Sequence, residues 1–356
     1  MEPTVLQTLW FVLIAVLFLG YFVLEGFDFG VGVNLAALGR GDSDRRGRML
    51  TTIGPVWDGN EVWLIVAGGS MFAAFPEWYA SLFSGFYLAL LLLLVVLIVR
   101  VCAFKYRGKS PDPRWRRAWD MVHVLGGIAP PVLWGIAFSN IVAGVQIDQH
   151  RWVTTSLLGL LNPHALLGGL TFLLLFWLHG TLYLTLRTDG ALRADANRLA
   201  GPVAVATIVV GGAYLVWTQL SFSNTALTWI PLLVVALALV AALVLNRMRR
   251  EALAFGATAL AIAAATVQLF GGLFPDVLPA ANDPALSLTV MNASSTPYTL
   301  TVMTIATVIL LPLVIAYQAW TYWVFRHRVT GDDSPAPGSG VLAAAKQRYR
   351  ETFENG

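Results

Sequence analysis

Four carboxylates stand inside stretches that are otherwise apolar, and they fall into two pairs, Glu25 with Asp28 and Asp58 with Glu61, each three residues apart. That spacing puts both members of a pair on one face of a helix. Ionisable groups at membrane depth are costly and default to functional hypotheses. Neighbouring carboxylates withdrawn from water can take up and release protons near neutral pH, so the chemistry that suits them is proton conduction. Arg100 is the one basic residue expected at comparable depth. It could instead pair with one of these acids and do no more than fix helix packing, and four oxygen ligands could also hold a hard cation. Trp57, Asn60 and Trp63 belong to the segment Trp57-Asp58-Gly59-Asn60-Glu61-Val62-Trp63 and are expected to pack around the path.

The elements that must position these groups are membrane helices. Of the 356 residues, 57% are hydrophobic and 12% charged, against about a quarter charged in soluble domains. A soluble α/β enzyme, a disordered scaffold and a nucleic-acid binder are excluded. At about 20 apolar residues per span, nine runs qualify, near 8–37, 51–76, 79–104, 117–146, 161–187, 198–220, 227–246, 251–274 and 299–325. No basic region precedes the first run and no small-residue cleavage site follows it, so it is expected to be an anchor. In the second span Asp58 is expected about 10 Å in from the helix start. The first three spans carry the four acids and Arg100, with Asp120 opening the fourth, and the later spans are nearly uncharged. The asymmetry localises the chemistry.

All but Arg151 of the 23 Lys and Arg residues fall on one side, in alternate connections, at the span ends that adjoin them or in the tail. Cytoplasmic loops retain such residues, so the amino terminus is expected outside and the carboxyl terminus inside, with an odd number of spans. Gly26 with Gly30, Gly68-Gly69 and Gly126-Gly127 are expected to allow close helix contact. The stretch Gly26-Phe27-Asp28-Phe29-Gly30-Val31-Gly32 is no dinucleotide loop, because no strand precedes it. Pro130-Pro131 is expected to kink the fourth span. Cys102, the single cysteine, excludes an internal disulfide, a thiolate zinc site and an iron–sulfur cluster. His123, His164 and His179 lie near or within spans, where hydrogen bonding between helices is a commoner role than axial haem ligation. Trp10, Trp78, Trp152 and Trp229 fit an interfacial aromatic belt.

Together these residues resemble subunit II of the cytochrome bd-type quinol oxidases. The resemblance rests on Glu25 to Gly32, the Trp57–Trp63 segment, Gly68-Gly69, Phe83-Ser84-Gly85-Phe86-Tyr87 and Arg100. It continues through Trp115-Arg116, Trp119-Asp120, Pro130-Pro131 with Gly135, Leu161-Asn162-Pro163, Phe274-Pro275, and Asn292 to Ser295 with Thr299-Leu300. It implies an all-α polytopic membrane protein of nine transmembrane helices, arranged as two four-helix bundles plus a ninth helix. Residues 1–150 would form the first bundle, 151–275 the second, 276–330 an outer loop and the ninth helix, and 331–356 a flexible cytoplasmic tail.

It further implies a pseudo-symmetric heterodimer with a haem-bearing subunit I holding two b haems and one haem d, in the bacterial cytoplasmic (inner) membrane, with small accessory subunits and lipid as further partners. Quinol would be oxidised and O2 reduced to water, with this chain binding no cofactor or metal, containing no redox-active residue and contacting no nucleic acid. Its expected part is to stabilise subunit I and to supply a proton path through Asp58, with Glu25, Asp28, Glu61 and Arg100, contributing to the proton motive force without pumping. Some members have Asp at the position of Glu25 and an acid at that of Lys105. Alternatives from other classes are a proton-coupled secondary transporter, which would use the same acids, and a pure scaffold subunit.

Overall fold

The computed structural model describes residues 2–223 and 225–330; the tail expected at 331–356 lies outside the described residues. Eleven α-helices are present among these: α1 (Val5–Ala37), α2 (Ser43–Ile53), α3 (Trp57–Ala74), α4 (Pro76–Gly85), α5 (Tyr87–Tyr106), α6 (Pro113–Ala143), α7 (Pro163–Arg187), α8 (Gly190–Phe222), α9 (Trp229–Arg247), α10 (Glu251–Leu273) and α11 (Pro297–Val324). Eight helical stretches are long and apolar enough to cross a membrane, and α3 is not among them. Its 18 residues span about 27 Å at 1.5 Å per residue, but Asp58, Asn60 and Glu61 crowd its first turns and lower its hydropathy.

Two expected spans are broken. The run at 51–76 divides at Gly54-Pro55-Val56 into α2 and α3, where Pro55 lacks the N–H that an unbroken helix needs. Asp58 consequently lies in the first turn of α3, not the expected distance inside a longer helix. An acid there is favourable to the helix dipole. The run at 79–104 divides at Phe86 into α4 and α5. A Cβ on Gly85 would lie 2.3 Å from Val153, so the connection 144–162 packs directly on the break. The expected loop between the fifth and sixth spans shrinks to Thr188-Asp189, because α8 begins at Gly190 and carries Arg193 and Arg198 within it. Pro130, Pro131, Pro202 and Pro312 all sit inside continuous helices.

The centre of the bundle is α1, α6 and α7, which meet pairwise at glycines. A Cβ on Gly30 would stand 2.0 Å from the Phe176 carbonyl oxygen and 2.8 Å from the Gly180 Cα. One on Gly32 would lie 3.1 Å from the Gly127 Cα, and one on Gly135 2.6 Å from Gly169. Small residues do this because leucine gains little over lipid in a bilayer, whereas close backbone approach gains dispersion. Above this crossing, Phe18, Phe22, Trp134, Phe138 and Phe172 make edge-to-face contacts, with Phe22 and Phe172 centroids 5.3 Å apart at 90°, and Phe270 packs tilted on Phe138. Since α1 packs against α3, α6, α7 and α10 alike, the two halves of the chain share one core.

Gly68 and Gly69 depart from the expectation. Among the described residues neither has a neighbour within 4 Å of a Cβ, and both line a hollow of about 560 Å³ between α3, α4 and α5. Trp10 and Trp78 are buried in the core instead of forming a belt; Trp10 donates to the Leu300 carbonyl at 3.2 Å and the Thr304 hydroxyl at 3.1 Å. Trp152 and Trp229 are exposed.

The two ends of the bundle differ in chemistry. At one end β1 (Asp276–Leu278) pairs antiparallel with β2 (Leu288–Thr289), and Ser295 bonds the Ala73 and Ala74 carbonyls. At the other end three acids are each clasped by two arginines. Asp120 takes Arg107 at 2.5 Å and Arg46 at 2.7 Å; Glu251 takes Arg193 at 2.6 Å and Arg328 at 2.8 Å; Asp195 takes Arg45 at 2.5 Å, and also Arg198.

The glycine crossings give the first prediction. Gly30→Ala is expected to lower the stability of the purified complex by about 1–3 kcal/mol, as overpacking does, while Gly68→Ala leaves it unchanged; thermal unfolding in detergent compares them.

Candidate functional site

The site is assembled where α3 packs on α1 and α5 packs on α6. Glu25 and Asp28, on one face of α1, are both fully buried. Arg100 reaches across from α5 and is 1% exposed. Its Nη1 donates to Glu25 Oε1 at 2.5 Å and to Glu61 Oε1 at 3.2 Å. The guanidinium carbon lies 4.8 Å from the Phe29 ring centroid and 5.6 Å from that of Phe104, so aromatic faces supply part of the solvation that burial removes. Room for the side chain comes from α6: a Cβ on Gly126 would stand 2.8 Å from the Arg100 Cδ. Trp57 stacks on Phe104 at 5.0 Å with planes 6° apart and closes this side.

Asn60 ties the second acid to the last helix. Its Nδ2 donates to Asp28 Oδ2 at 2.8 Å and to the Leu24 carbonyl at 3.1 Å. Its Oδ1 accepts from the Tyr322 hydroxyl at 2.7 Å and from Gln318 Nε2 at 3.1 Å. With both ends of the amide taken by donors and acceptors of matching kind, its orientation is fixed. Gln318 and Tyr322 were not among the residues singled out in the sequence. Their signal was a polar pair four residues apart in an otherwise apolar α11, hence on one face.

The expected residues separate into two groups. Glu25, Asp28, Asn60, Glu61 and Arg100 come together. Asp58 does not join them; it is exposed on the outer face of α3, and its carboxylate makes no hydrogen bond or ion pair to another described residue. Trp63 packs across Gly20 of α1, within 2.3 Å of where a Cβ would lie. Asp120 is held away in its arginine clasp, and Lys105 is exposed near the end of α5. Among the described residues, several buried polar atoms of the site have no hydrogen-bond partner: Glu25 Oε2, Asp28 Oδ1, Arg100 Nη2, Trp57 Nε1 and, beneath Phe104, His123 Nε2.

Two of the three buried histidines hydrogen-bond to neighbouring helices. His179 has Nδ1 on the Thr258 hydroxyl at 2.7 Å and Nε2 on the Val23 carbonyl at 3.1 Å, and His164 has Nε2 on Thr218 at 2.9 Å. None of the three buried histidines lines either of the two large hollows. Among the described residues no group of three His, Cys, Asp or Glu side chains is placed to hold a metal ion.

The family profile described as cytochrome bd terminal oxidase subunit II matches residues 6–325. The chain belongs to this family. It is 40% identical over 330 residues to cytochrome bd ubiquinol oxidase subunit 2 of Bacillus subtilis (strain 168), covering 91% of this chain and 97% of that one. It is 36% identical to cytochrome bd-I ubiquinol oxidase subunit 2 of Escherichia coli (strain K12), covering 92% and 96%. A chain in the structure of bd oxidase from Geobacillus thermodenitrificans superposes with a TM-score of 0.74 at 18% identity, over 90% of this chain and 99% of that chain, which shows the fold. As a member of the family, this cytochrome bd subunit is a multi-pass protein of the bacterial cytoplasmic membrane and one component of an oxidoreductase complex, a quinol oxidase.

The buried pair yields a second prediction. Removing one partner of such a pair costs about 3–5 kcal/mol, because a charge is left uncompensated. Arg100→Gln is expected to destabilise the subunit by that amount, and Glu25→Gln on the Arg100→Gln background to recover part of it, read as the melting temperature of the purified complex.

Proposed function

We propose that this subunit II covers a haem-bearing subunit I and carries protons to it, while electrons pass from quinol to O2 within the partner. Two b haems and one haem d are assigned to subunit I, and no cofactor to this chain. The observation that carries the proton role is a gradient of burial along linked acids. Asp58 is exposed on the face of α3, Glu61 keeps 19% of its side chain accessible, and Glu25 is fully buried behind it, with Arg100 touching both of the latter. An exposed carboxylate on a membrane helix suits a polar partner surface and not lipid, since hydrocarbon exposure is penalised. Asp58 is therefore assigned as the group that exchanges protons between this chain and subunit I. Glu61 and Glu25 are assigned as the acids behind it.

Arg100 balances one carboxylate of the cluster. A proton added to Glu61, Glu25 or Asp28 then cancels a charge that nothing else in the cluster compensates. Asn60 holds Asp28 in place, and Trp57 and Trp63 exclude water from the flanks. The unpartnered oxygens of Glu25 and Asp28 are the positions at which a transferred proton would be taken up or relayed. Uptake from the cytoplasm and release of quinol protons outside would build a proton motive force with no pump element.

We also infer nine crossings, with α3 added to the eight apolar stretches, the amino terminus outside and the carboxyl terminus inside. The arginine-clasped end of the bundle is then cytoplasmic. The chain would form two four-helix groups, α1 with α3, α5 and α6 and then α7 to α10, followed by α11. Reporter fusions after residues 111, 224 and 330 check this: activity of an externally active reporter only at 224 is expected.

A pure scaffold role draws support from the Arg100–Glu25 contact, which needs no proton traffic. Asp58 separates the two readings, because it lies outside that contact. Asp58→Ala is expected to slow quinol-driven O2 consumption by about a hundredfold, the lower end of what a positioned proton donor contributes, with haem content intact and Asp58→Glu less affected. Full turnover by an assembled Asp58→Ala complex would leave the scaffold role.

A further inference from the structure

A second large hollow, of about 430 Å³, lies among α1, α7, α10 and α11 at the arginine-clasped end. Its wall is formed by Leu24, Phe27, Leu186, Phe255 and Phe325, and two arginines, Arg187 and Arg326, line it, with no carboxylate among the described lining residues. Arg187 ends α7 and is 8% exposed, yet its Nε has no protein partner; its Nη2 donates to the Phe325 carbonyl. Arg326 is exposed just beyond α11 and rests on the Trp323 ring at 4.5 Å. The two tyrosines that border the hollow have their hydroxyls occupied, Tyr183 by the Thr52 carbonyl at 2.9 Å and Tyr322 by Asn60 at 2.7 Å. The polar capacity left for an occupant is therefore cationic and lies at one end, and the remainder is aromatic and aliphatic.

We propose that this hollow binds one anionic phospholipid, its phosphate held by Arg187 and Arg326 and an acyl chain lying against Phe27, Leu186 and Phe255. The arrangement matches an amphiphile entering from the membrane boundary, where basic pockets between helices take acidic headgroups. A neutral lipid satisfies the wall but leaves both guanidiniums without an anion. A free phosphate satisfies the guanidiniums but leaves the apolar wall empty. The site lies next to the acid cluster, with which it shares Tyr322, but it does not depend on proton transport through that cluster.

The test uses the whole complex, purified through a tag on this chain, stripped of loose lipid and equilibrated with dioleoyl-phosphatidylglycerol or dioleoyl-phosphatidylcholine. Native mass spectrometry counts the lipids retained. With about a fivefold gain per arginine near the surface, one phosphatidylglycerol is expected to be held about twenty-fivefold more tightly than phosphatidylcholine. Arg326→Gln, at an exposed side chain, is expected to reduce that preference about fivefold. Leu186→Trp, which fills the hollow and keeps both charges, is expected to remove one bound lipid per complex. Equal retention of the two lipids, an unchanged preference in Arg326→Gln, or full displacement of the phosphatidylglycerol by inorganic phosphate overturns the proposal. If Leu186→Trp does not assemble, Arg326→Gln decides alone.

Discussion

A guanidinium buried at membrane depth is the constraint around which the first half of this chain is organised. Arg100 cannot be left without counter-charge there, since withdrawing an ion from water costs far more than any single apolar contact returns. Everything within reach of it answers that cost. Glu25 and Glu61 bring negative charge from two different helices, Phe29 and Phe104 turn ring faces toward it, and Gly126 leaves out the side chain that would collide with its stem. The same demand reaches the backbone. Only because α1 and α6 approach to contact at Gly32 and Gly127 do the α1 carboxylate and the α5 arginine meet across α6.

Apolar packing cannot say where α11 belongs, because lipid tails compete equally with leucine for its surface. Of its residues only Leu300 and Val324 are buried. Its position is set by polar contacts near its two ends, Trp10 to Leu300 and Thr304 at one and Asn60 to Gln318 and Tyr322 at the other. The second anchor is also the clamp on Asp28. A displacement of α11 therefore changes the hydrogen bonding of a buried acid, which couples the outermost helix of the chain to its innermost charge.

Much of this was legible in the sequence, and for a physical reason: a charged residue in an apolar run is conspicuous where a leucine is not. Glu25, Asp28, Glu61 and Arg100 were found that way, as was the gathering of basic residues at one end. What the sequence hid was rotational phase. Pro55 restarts the helix, so the direction in which Asp58 points follows from the start of α3 and not from a count begun at residue 51. The same loss of phase misdirected the reading of Gly68-Gly69, because a glycine pair marks close contact only when another helix lies on its face. Trp10 and Trp78 were misplaced for a related reason. An indole near the end of a span is interfacial unless a neighbouring carbonyl accepts its N–H or a core closes over it, and neither is written locally. Gln318 and Tyr322 were available as a same-face polar pair but act on residues more than 250 positions away.

The exposure of Asp58 bears on what must lie beside this chain. The cost of an unpaired carboxylate facing hydrocarbon, about 2.5–3.5 kcal/mol at a helix centre even on the mildest scale, is an upper bound for Asp58 in the first turn of α3. Glu61, three residues on, already has Arg100, and among the described residues no cation pairs with Asp58. The compensation has to come from across the α3 face, as a hydrogen-bond donor, a cation or a proton. The first two would hold the carboxylate charged and still. On the proposed proton path, a proton that can leave again is what would make the position useful to a reaction that consumes protons, and Glu61, three residues on, is the acid behind it.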